Sequence, residues 1–357
     1  MLSGSRLGSK VDIDRALDNF LTEVTSNLNA IDDHLSPVSS ALRDFLAGGK
    51  RLRPLFALAG YVGGDGPAEP ADLEAIYKAS LSLELLQACA LIHDDMMDGS
   101  DTRRGAPAIH RRFESEHRER AGVGDSQAFG NAAALLLGDL ALVLSTQALH
   151  QSGISDDQLR SVNPIFDAMK VELMAGQYLD MHAGSRHEVS IDDALKIAIY
   201  KSGKYTIERP LHFGGALALA RPDLLAVYSD YGIPLGIAFQ LRDDILGVFG
   251  DSSVTGKPAG DDLLEGKRTA LIAYAFSHLS PQDRSALKKS FGNRAASGDE
   301  IDMMRDLVNK SGAVEFIEKI IEEKTNLALS TSRDQRISKN GQELLADLAI
   351  AATKRSA

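Results

Sequence analysis

The chain of 357 residues has one cysteine, Cys89, and no tryptophan. A lone thiol excludes an internal disulfide and any metal site built from clustered thiolates, leaves oxygen ligands as the main route to a bound metal, and suits a reducing compartment. Aromatic residues are scarce, at 6%, and alternating β-branched runs between hairpin turns are few, so a sheet-based core is disfavoured. Long apolar runs are missing as well. The longest, residues 132–144, is broken by Asp139 and falls short of the roughly 20 residues that a membrane span needs. The opening MLSGSRLGSK has no apolar segment of a secretory signal. These absences predict a soluble cytoplasmic protein with no transmembrane segment. Positive charge is also short: 39 Lys and Arg against 50 Asp and Glu give a net charge of −11. That balance argues against nucleic acid as a partner. Any anionic substrate must be held locally, by bunched cations or by metal ions.

What is present is helical. Apolar residues make up 44% of the chain, enough for a large core, and the abundant Ala and Leu favour helix. Periodicity predicts helices over 11–35, 36–47, 54–62, 71–98, 129–151, 156–182, 191–202, 206–220, 222–246, 267–277, 281–291, 298–311, 313–332 and 342–353. Ser155 and Ser280 stand as N-caps. Loops are expected at 63–70, 99–125, 183–190 and 247–266. There is no repeat and no Pro/Gly/Ser linker. The expectation is an all-α fold, one domain over residues 1–357 with a core of about 15–350.

Two aspartate pairs stand out. In His93-Asp94-Asp95-Met96-Met97-Asp98, Asp94 and Asp98 share one helix face, where like charges repel unless a divalent cation lies between them. Mg²⁺ favours such carboxylates, keeping several waters and taking phosphate oxygens. The bland alternative is a solvated acidic helix end, which the helix dipole opposes. The second pair, Asp243-Asp244, follows the apolar stretch 234–239; position 247, one turn beyond Asp243, is Gly247. Taken alone it reads equally well as surface. Cations bunch beside these pairs. Gly48-Gly49-Lys50-Arg51-Leu52-Arg53 sets three of them behind a flexible glycine pair, with Arg offering a planar fork for phosphate. Arg103-Arg104 follows the first pair, Lys201-Ser202-Gly203-Lys204 falls at a predicted helix break, and Lys257 and Lys267-Arg268 flank Asp261-Asp262. Each alone could be ordinary surface. Together they suggest a diphosphate held between Mg²⁺ and Lys/Arg.

The sequence resembles the trans-isoprenyl diphosphate synthases, the polyprenyl synthetase family, and most of all their actinobacterial geranylgeranyl-type members. The matching segments run in family order: GGKRLRP at 48–54, ELLQACALIHDDMMDGSDTRRG at 84–105, GQYLD at 176–180, KSGKYTIERP at 201–210, GIAFQLRDDILG at 236–247 and GKPAGDDLLEGKRT at 256–269. The resemblance implies a bundle of long helices around a central cavity, the isoprenoid synthase type I fold, usually as a homodimer. It implies Mg²⁺, three ions to a site, held by Asp94, Asp98 and Asp243, with Asp95 and Asp244 in support. Arg103, Lys201 and Lys257 would meet the allylic diphosphate. Lys50, Arg53 and Arg104 would hold isopentenyl diphosphate, with Gln87 where many members carry His. Gly247 stands where the fuller motif ends in a third Asp, which casts doubt on the outer ligation there but not on Asp243.

The implied reaction is ionisation of an allylic diphosphate (dimethylallyl, geranyl or farnesyl), head-to-tail attack by isopentenyl diphosphate, and proton loss to the released diphosphate. The Lys201 carbonyl, the Ser202 hydroxyl and the Gln240 side-chain oxygen would steady the cation, and water must be kept out. Cys89 and Ala90 lie about 6–7.5 Å from Asp94 along a helix at 1.5 Å per residue. Family members that stop at farnesyl carry bulky aromatics there, so the small residues here predict geranylgeranyl diphosphate, with Leu86 and Leu83 as the floor. Plain helix packing is the other use for Ala90. Farnesyl or longer products remain open. So does a non-catalytic subunit, although such subunits usually lose an Asp motif. A terpene cyclase would carry a second metal motif rich in Asn, Ser and Glu, which is not found here.

Overall fold

A computed structural model describes residues 10–186, 188–250 and 260–354. The all-α expectation holds for them. Helices α1 (Lys10–Ile31), α2 (Ser36–Leu46), α3 (Leu52–Gly63), α4 (Pro70–Asp98), α5 (Ile109–Glu119), α6 (Ser126–His150), α7 (Asp156–Gly184) and α8 (Ile191–Ile197) lead into a π-helical segment, Ala198–Glu208. They are followed by α9 (Arg209–Leu217), α10 (Pro222–Phe249), α11 (Asp261–Glu265), α12 (Ala270–His278), α13 (Pro281–Ser290), α14 (Gly298–Lys310), α15 (Ala313–Thr331) and α16 (Lys339–Thr353). The strands among the described residues are β1 (Thr102–Arg103) and β2 (Ala106–Pro107), an antiparallel pair with Thr102 opposite Pro107.

The chain divides into two compact units: Met1–Asn163 with Phe213–Ala220, and Pro164–His212 with Arg221–Ala357. In the first, α4 is the central helix. Leu81, Leu83, Leu85 and Leu86 are all buried, so it is apolar around its whole circumference and must be packed on several sides. Helices α1, α3 and α6 supply that packing. In the second unit α10 has the same place. Tyr228, Tyr231, Leu235, Ala238, Leu241 and Val248 are buried along it, against the π segment and α15. Arg242 binds Glu318 of α15 and donates to the Thr353 carbonyl of α16 at 3.1 Å, which anchors α10 beside the aspartate pair.

Four expectations need correction. The loop predicted at 99–125 contains α5, a helix of charged residues that buries little more than Ile109, His110, Phe113 and Glu114. Ion pairs one turn apart, Arg111–Glu114 at 2.8 Å and Arg112–Glu116 at 3.1 Å, support it in place of an apolar face. The break expected at 201–204 is a continuous π helix. The loop expected from 247 begins later, because α10 runs to Phe249, and it includes α11. By length and composition, α4, α6 and α10 are each long and apolar enough to cross a membrane. The apolar-run expectation missed this because a whole-helix average tolerates an interrupting charge.

Candidate active site

In the first unit, α4 delivers the first aspartate cluster at its C-terminal end, where Gly99 in the left-handed region closes the helix. The chain then turns into β1, which brings Arg103 back to the cluster. Arg103 Nε donates to both carboxylate oxygens of Asp95, at 2.8 and 2.9 Å, and its NH2 lies 3.6 Å from Asp94. Asp95 is wholly buried. Burial opposes the Arg103 charge, but Asp95, with Asp94 and Asp98 behind it, more than offsets this and raises the Arg103 pKa. The cluster thus divides: Asp95 is committed to Arg103, while Asp94 and Asp98 share a face one turn apart.

The glycine-pair segment divides in a similar way. Arg51, with φ at 55°, turns inward. It binds Glu84 at 2.8 Å, Asp14 at 2.7 Å and the Leu46 carbonyl at 2.7 Å, with its side chain 4% exposed. A Cβ on Gly49 would come within 2.7 Å of that guanidinium, so glycine is needed there. Arg51 is therefore structural; of its two cationic neighbours in the segment, Lys50 is exposed and Arg53 half-buried. A small pocket beside them is lined by Arg51, Glu84, Gln87, Leu91 and Arg104, among others. Withdrawal of water lowers the Arg104 pKa. Arg103, Arg51 and Arg53 push it the same way, and Glu84 opposes. Such crowded cations would be relieved by an anion. Deeper along α4, Leu83, Leu86 and Cys89 are buried and Ala90 is half-buried. Burial pushes the Cys89 thiol up to about 11, with the Asp139 charge adding to it.

In the second unit, glycines set the spacing. A Cβ on Gly236 of α10 would lie 2.5 Å from Gly203 Cα, and one on Gly176 of α7 would lie 2.5 Å from the Lys201 nitrogen. These contacts seat the π segment directly on both helices. Lys201 Nζ meets Asp180 at 2.5 Å. Gln240 Nε2 donates to Asp244 at 2.7 Å, which leaves the amide oxygen as the atom able to face a cation. Burial pushes the Asp244 carboxyl up to about 8, with Asp262, Asp243 and Asp180 adding to it and Gln240 opposing. Ser202 and Asp243 are half-buried. Lys257 lies outside the described residues.

The polyprenyl synthetase family model matches residues 36–308, more than half of the chain. The chain belongs to the polyprenyl synthetase family. Among solved structures, it is similar to geranylgeranyl pyrophosphate synthase from Corynebacterium glutamicum, complexed with isoprenyl diphosphate and magnesium. The two are 39% identical, with a TM-score of 0.93, over 97% of this chain and 98% of that one. The geranylgeranyl diphosphate synthase of Saccharolobus solfataricus is 28% identical over 92% of this chain and 94% of its own length. The geranylfarnesyl diphosphate synthase of Aeropyrum pernix is 31% identical over 86% and 87%. This polyprenyl synthetase is accordingly a trans-prenyltransferase of the all-α isoprenoid synthase type I fold.

The residues of this polyprenyl synthetase suit a hard divalent cation. The donors in both aspartate segments are carboxylates, and in the second unit burial first, with Asp262, Asp243 and Asp180 adding to it, raises the Asp244 pKa to about 8. Among the described residues, no group of three or more His, Cys, Asp or Glu is placed to hold an ion by itself. Water and phosphate oxygens would have to complete a coordination shell. Sequence reasoning overlooked the residues that hold the site residues: Asp180 under Lys201, and Glu84 under Arg51. Asp180 does close the GQYLD segment four residues after Gly176, the only local signal for it.

Proposed function

We propose that the chain is a single polyprenyl synthetase domain that condenses isopentenyl diphosphate with allylic diphosphates and makes chiefly geranylgeranyl diphosphate. The observation that carries the product assignment is the small pair Cys89 and Ala90 on α4, one to one and a half turns before Asp94, with Leu86 and Leu83 buried beyond them. Two of the similar proteins above bear that product in their names.

Asp94, Asp98 and Asp243 would hold Mg²⁺, three ions to a site. When bound, the metal supplies Lewis-acid stabilisation for the charge that develops on the departing diphosphate. Lys50, Arg53, Arg104 and Gln87 bind isopentenyl diphosphate. The mutual repulsion felt at Arg104 and the pocket beside Gln87 support this assignment. Arg103 and Lys201, with Lys257, meet the allylic diphosphate; Asp95 binds the first of these and Asp180 the second. The Gln240 amide oxygen, the Ser202 hydroxyl and the Lys201 carbonyl offer dipoles to the allylic cation without offering a strong nucleophile. No protein base is required, since the released diphosphate can take the proton.

The protein works in the cytoplasm as a homodimer. Support for the dimer comes from α6, where Phe129, Leu136 and Val143 recur every seven residues and are 48%, 68% and 62% exposed. That stripe suits helix-on-helix packing.

Incubation with Mg²⁺, labelled isopentenyl diphosphate and each allylic primer tests the reading. Metal-dependent geranylgeranyl diphosphate is expected, and no product with any primer would point to a non-catalytic subunit. Ala90→Phe should shift the products towards farnesyl diphosphate. An unchanged spectrum would remove the chain-length assignment while leaving the activity.

A further inference from the structure

Helix α7 carries Glu172, Gly176 and Asp180 at four-residue intervals, on one face. Gly176 lies against the Lys201 backbone and Asp180 binds Lys201 Nζ. Glu172 meets the π segment further along and takes two cations at once. Its Oε1 accepts from Lys204 Nζ at 2.9 Å, while Arg209 reaches both oxygens, Nε to Oε2 at 2.7 Å and NH2 to Oε1 at 2.6 Å. None of the three side chains is more than 20% exposed. Burial opposes the Glu172 charge, but Arg209 and Lys204 outweigh it and hold the carboxyl below its usual range. The spacing of the two cations is unusual, since Lys204 and Arg209 are five residues apart. On an α-helix of 3.6 residues per turn they would point roughly 140° apart, and one carboxylate would be poorly placed for both. Hydrogen bonds from i to i+5 wind the chain more loosely and bring residues five apart onto one face. The Arg209 N–H does bond the Lys204 carbonyl.

We propose that Glu172 is a positioning residue: its carboxylate draws Lys204 and Arg209 to one point, selects the π winding of Ala198–Glu208, and so sets the heading of Lys201 and Ser202. An α turn in place of the π turn would strip one of the two cations of Glu172, and each is mostly buried. The same end of the segment is tied to α10, where Ser229 donates to Glu208 at 2.8 Å. A register shift of one residue turns a helical side chain by about 100°. The winding therefore decides whether Lys201 meets Asp180 and which way the Ser202 hydroxyl faces. The inference rests on the roles proposed for Lys201 and Ser202 at the allylic diphosphate and its cation.

Glu172→Gln removes the charge and keeps the shape. A crystal structure of that variant is expected to show the Arg209 N–H moved to the Tyr205 carbonyl, the α pattern. Its kcat should fall roughly 10- to 100-fold, the scale on which a small misplacement of reacting groups costs rate, with KM for isopentenyl diphosphate unchanged. Glu172→Asp keeps the charge and should recover part of the loss. A triple variant, Glu172→Met with Lys204→Met and Arg209→Met, separates positioning from stability. Replacing a buried ion cluster by apolar side chains of similar volume is often neutral for stability, so its urea midpoint should lie near that of the wild type while kcat stays low. Full kcat in the triple variant, or an Arg209 N–H still on the Lys204 carbonyl in Glu172→Gln, overturns the proposal. A shifted hydrogen bond with unchanged kcat overturns the roles given to Lys201 and Ser202, and not the part of Glu172 in the winding.

Discussion

At the scale of single residues, the site depends on which charges are already committed. Arg51 and Arg53 are two positions apart and chemically identical. Arg51 is sealed in an ion pair with Glu84, both side chains 4% exposed, and removing one partner of such a pair leaves a buried charge uncompensated. Asp94 and Asp95 divide likewise, the second being taken by Arg103. Asp244 is the outlier in charge state. Its carboxyl ordinarily titrates at 3.8 and is raised to about 8, first by burial. The folded protein therefore binds that proton more tightly than the unfolded chain. The group's contribution to stability is complete below about 3.8 and is lost as pH rises through about 8. In EDTA, the thermal midpoint should fall across that window, and Asp244→Asn should flatten the decline. A midpoint with the same pH slope in the variant would show that other groups govern it. Spacing along the chain made Asp94, Asp98 and the clustered cations legible. Commitment was not legible, because the carboxylate partners of Arg51, Asp14 and Glu84, come from elements distant in sequence.

At the scale of elements, the sequence was readable wherever an apolar face drives the helix, and α4 and α10 begin within a residue of expectation. It misled where something else does. Helix α5 is supported by ion pairs one turn apart, and a charged run of that kind looks the same as a solvated loop. The π segment was misread because Gly203 in mid-helix resembles a breaker. Its real use is proximity: with no side chain at 203 or at 236, two backbones can touch. Local π geometry recurs at functional sites, and here it carries Lys201 and Ser202. Gly236→Ala would put a methyl group 2.5 Å from Gly203 Cα. The expected cost is about 1–3 kcal/mol of stability, typical of overpacking. Displacement of Lys201 and Ser202 should lower kcat more than it raises KM for isopentenyl diphosphate, whose proposed ligands lie in the other unit. Urea denaturation and steady-state kinetics measure the two effects. A variant that loses stability and keeps full kcat would show that the glycine contact serves packing alone.

At the scale of the whole molecule, a net charge of −11 argues against nucleic acid and requires any anionic substrate to be held locally. The arrangement is local: Arg103 meets Asp94 and Asp95 at the end of α4, and Arg104 feels the charges of Arg103, Arg51 and Arg53. The same contrast between global and local applies to hydrophobicity. Helix α6 has a mean hydropathy of 1.7 over its best window, the highest of the three long apolar helices, yet that window is 44% buried, against 72% for α4 and 61% for α10. A surface left this apolar calls for a partner, and the seven-residue recurrence of Phe129, Leu136 and Val143 suits a second copy of the same helix, as a two-fold interface requires. Leu136→Glu with Val143→Glu would place two acids on each side of that interface, four in the pair, in a chain already net negative. Sedimentation velocity should then show a monomer, with a dimer expected for the wild type. The monomer should remain helical by circular dichroism, since both side chains are exposed in the single chain. A double variant that still sediments as a dimer would move the interface off α6, and the apolar stripe would need another occupant.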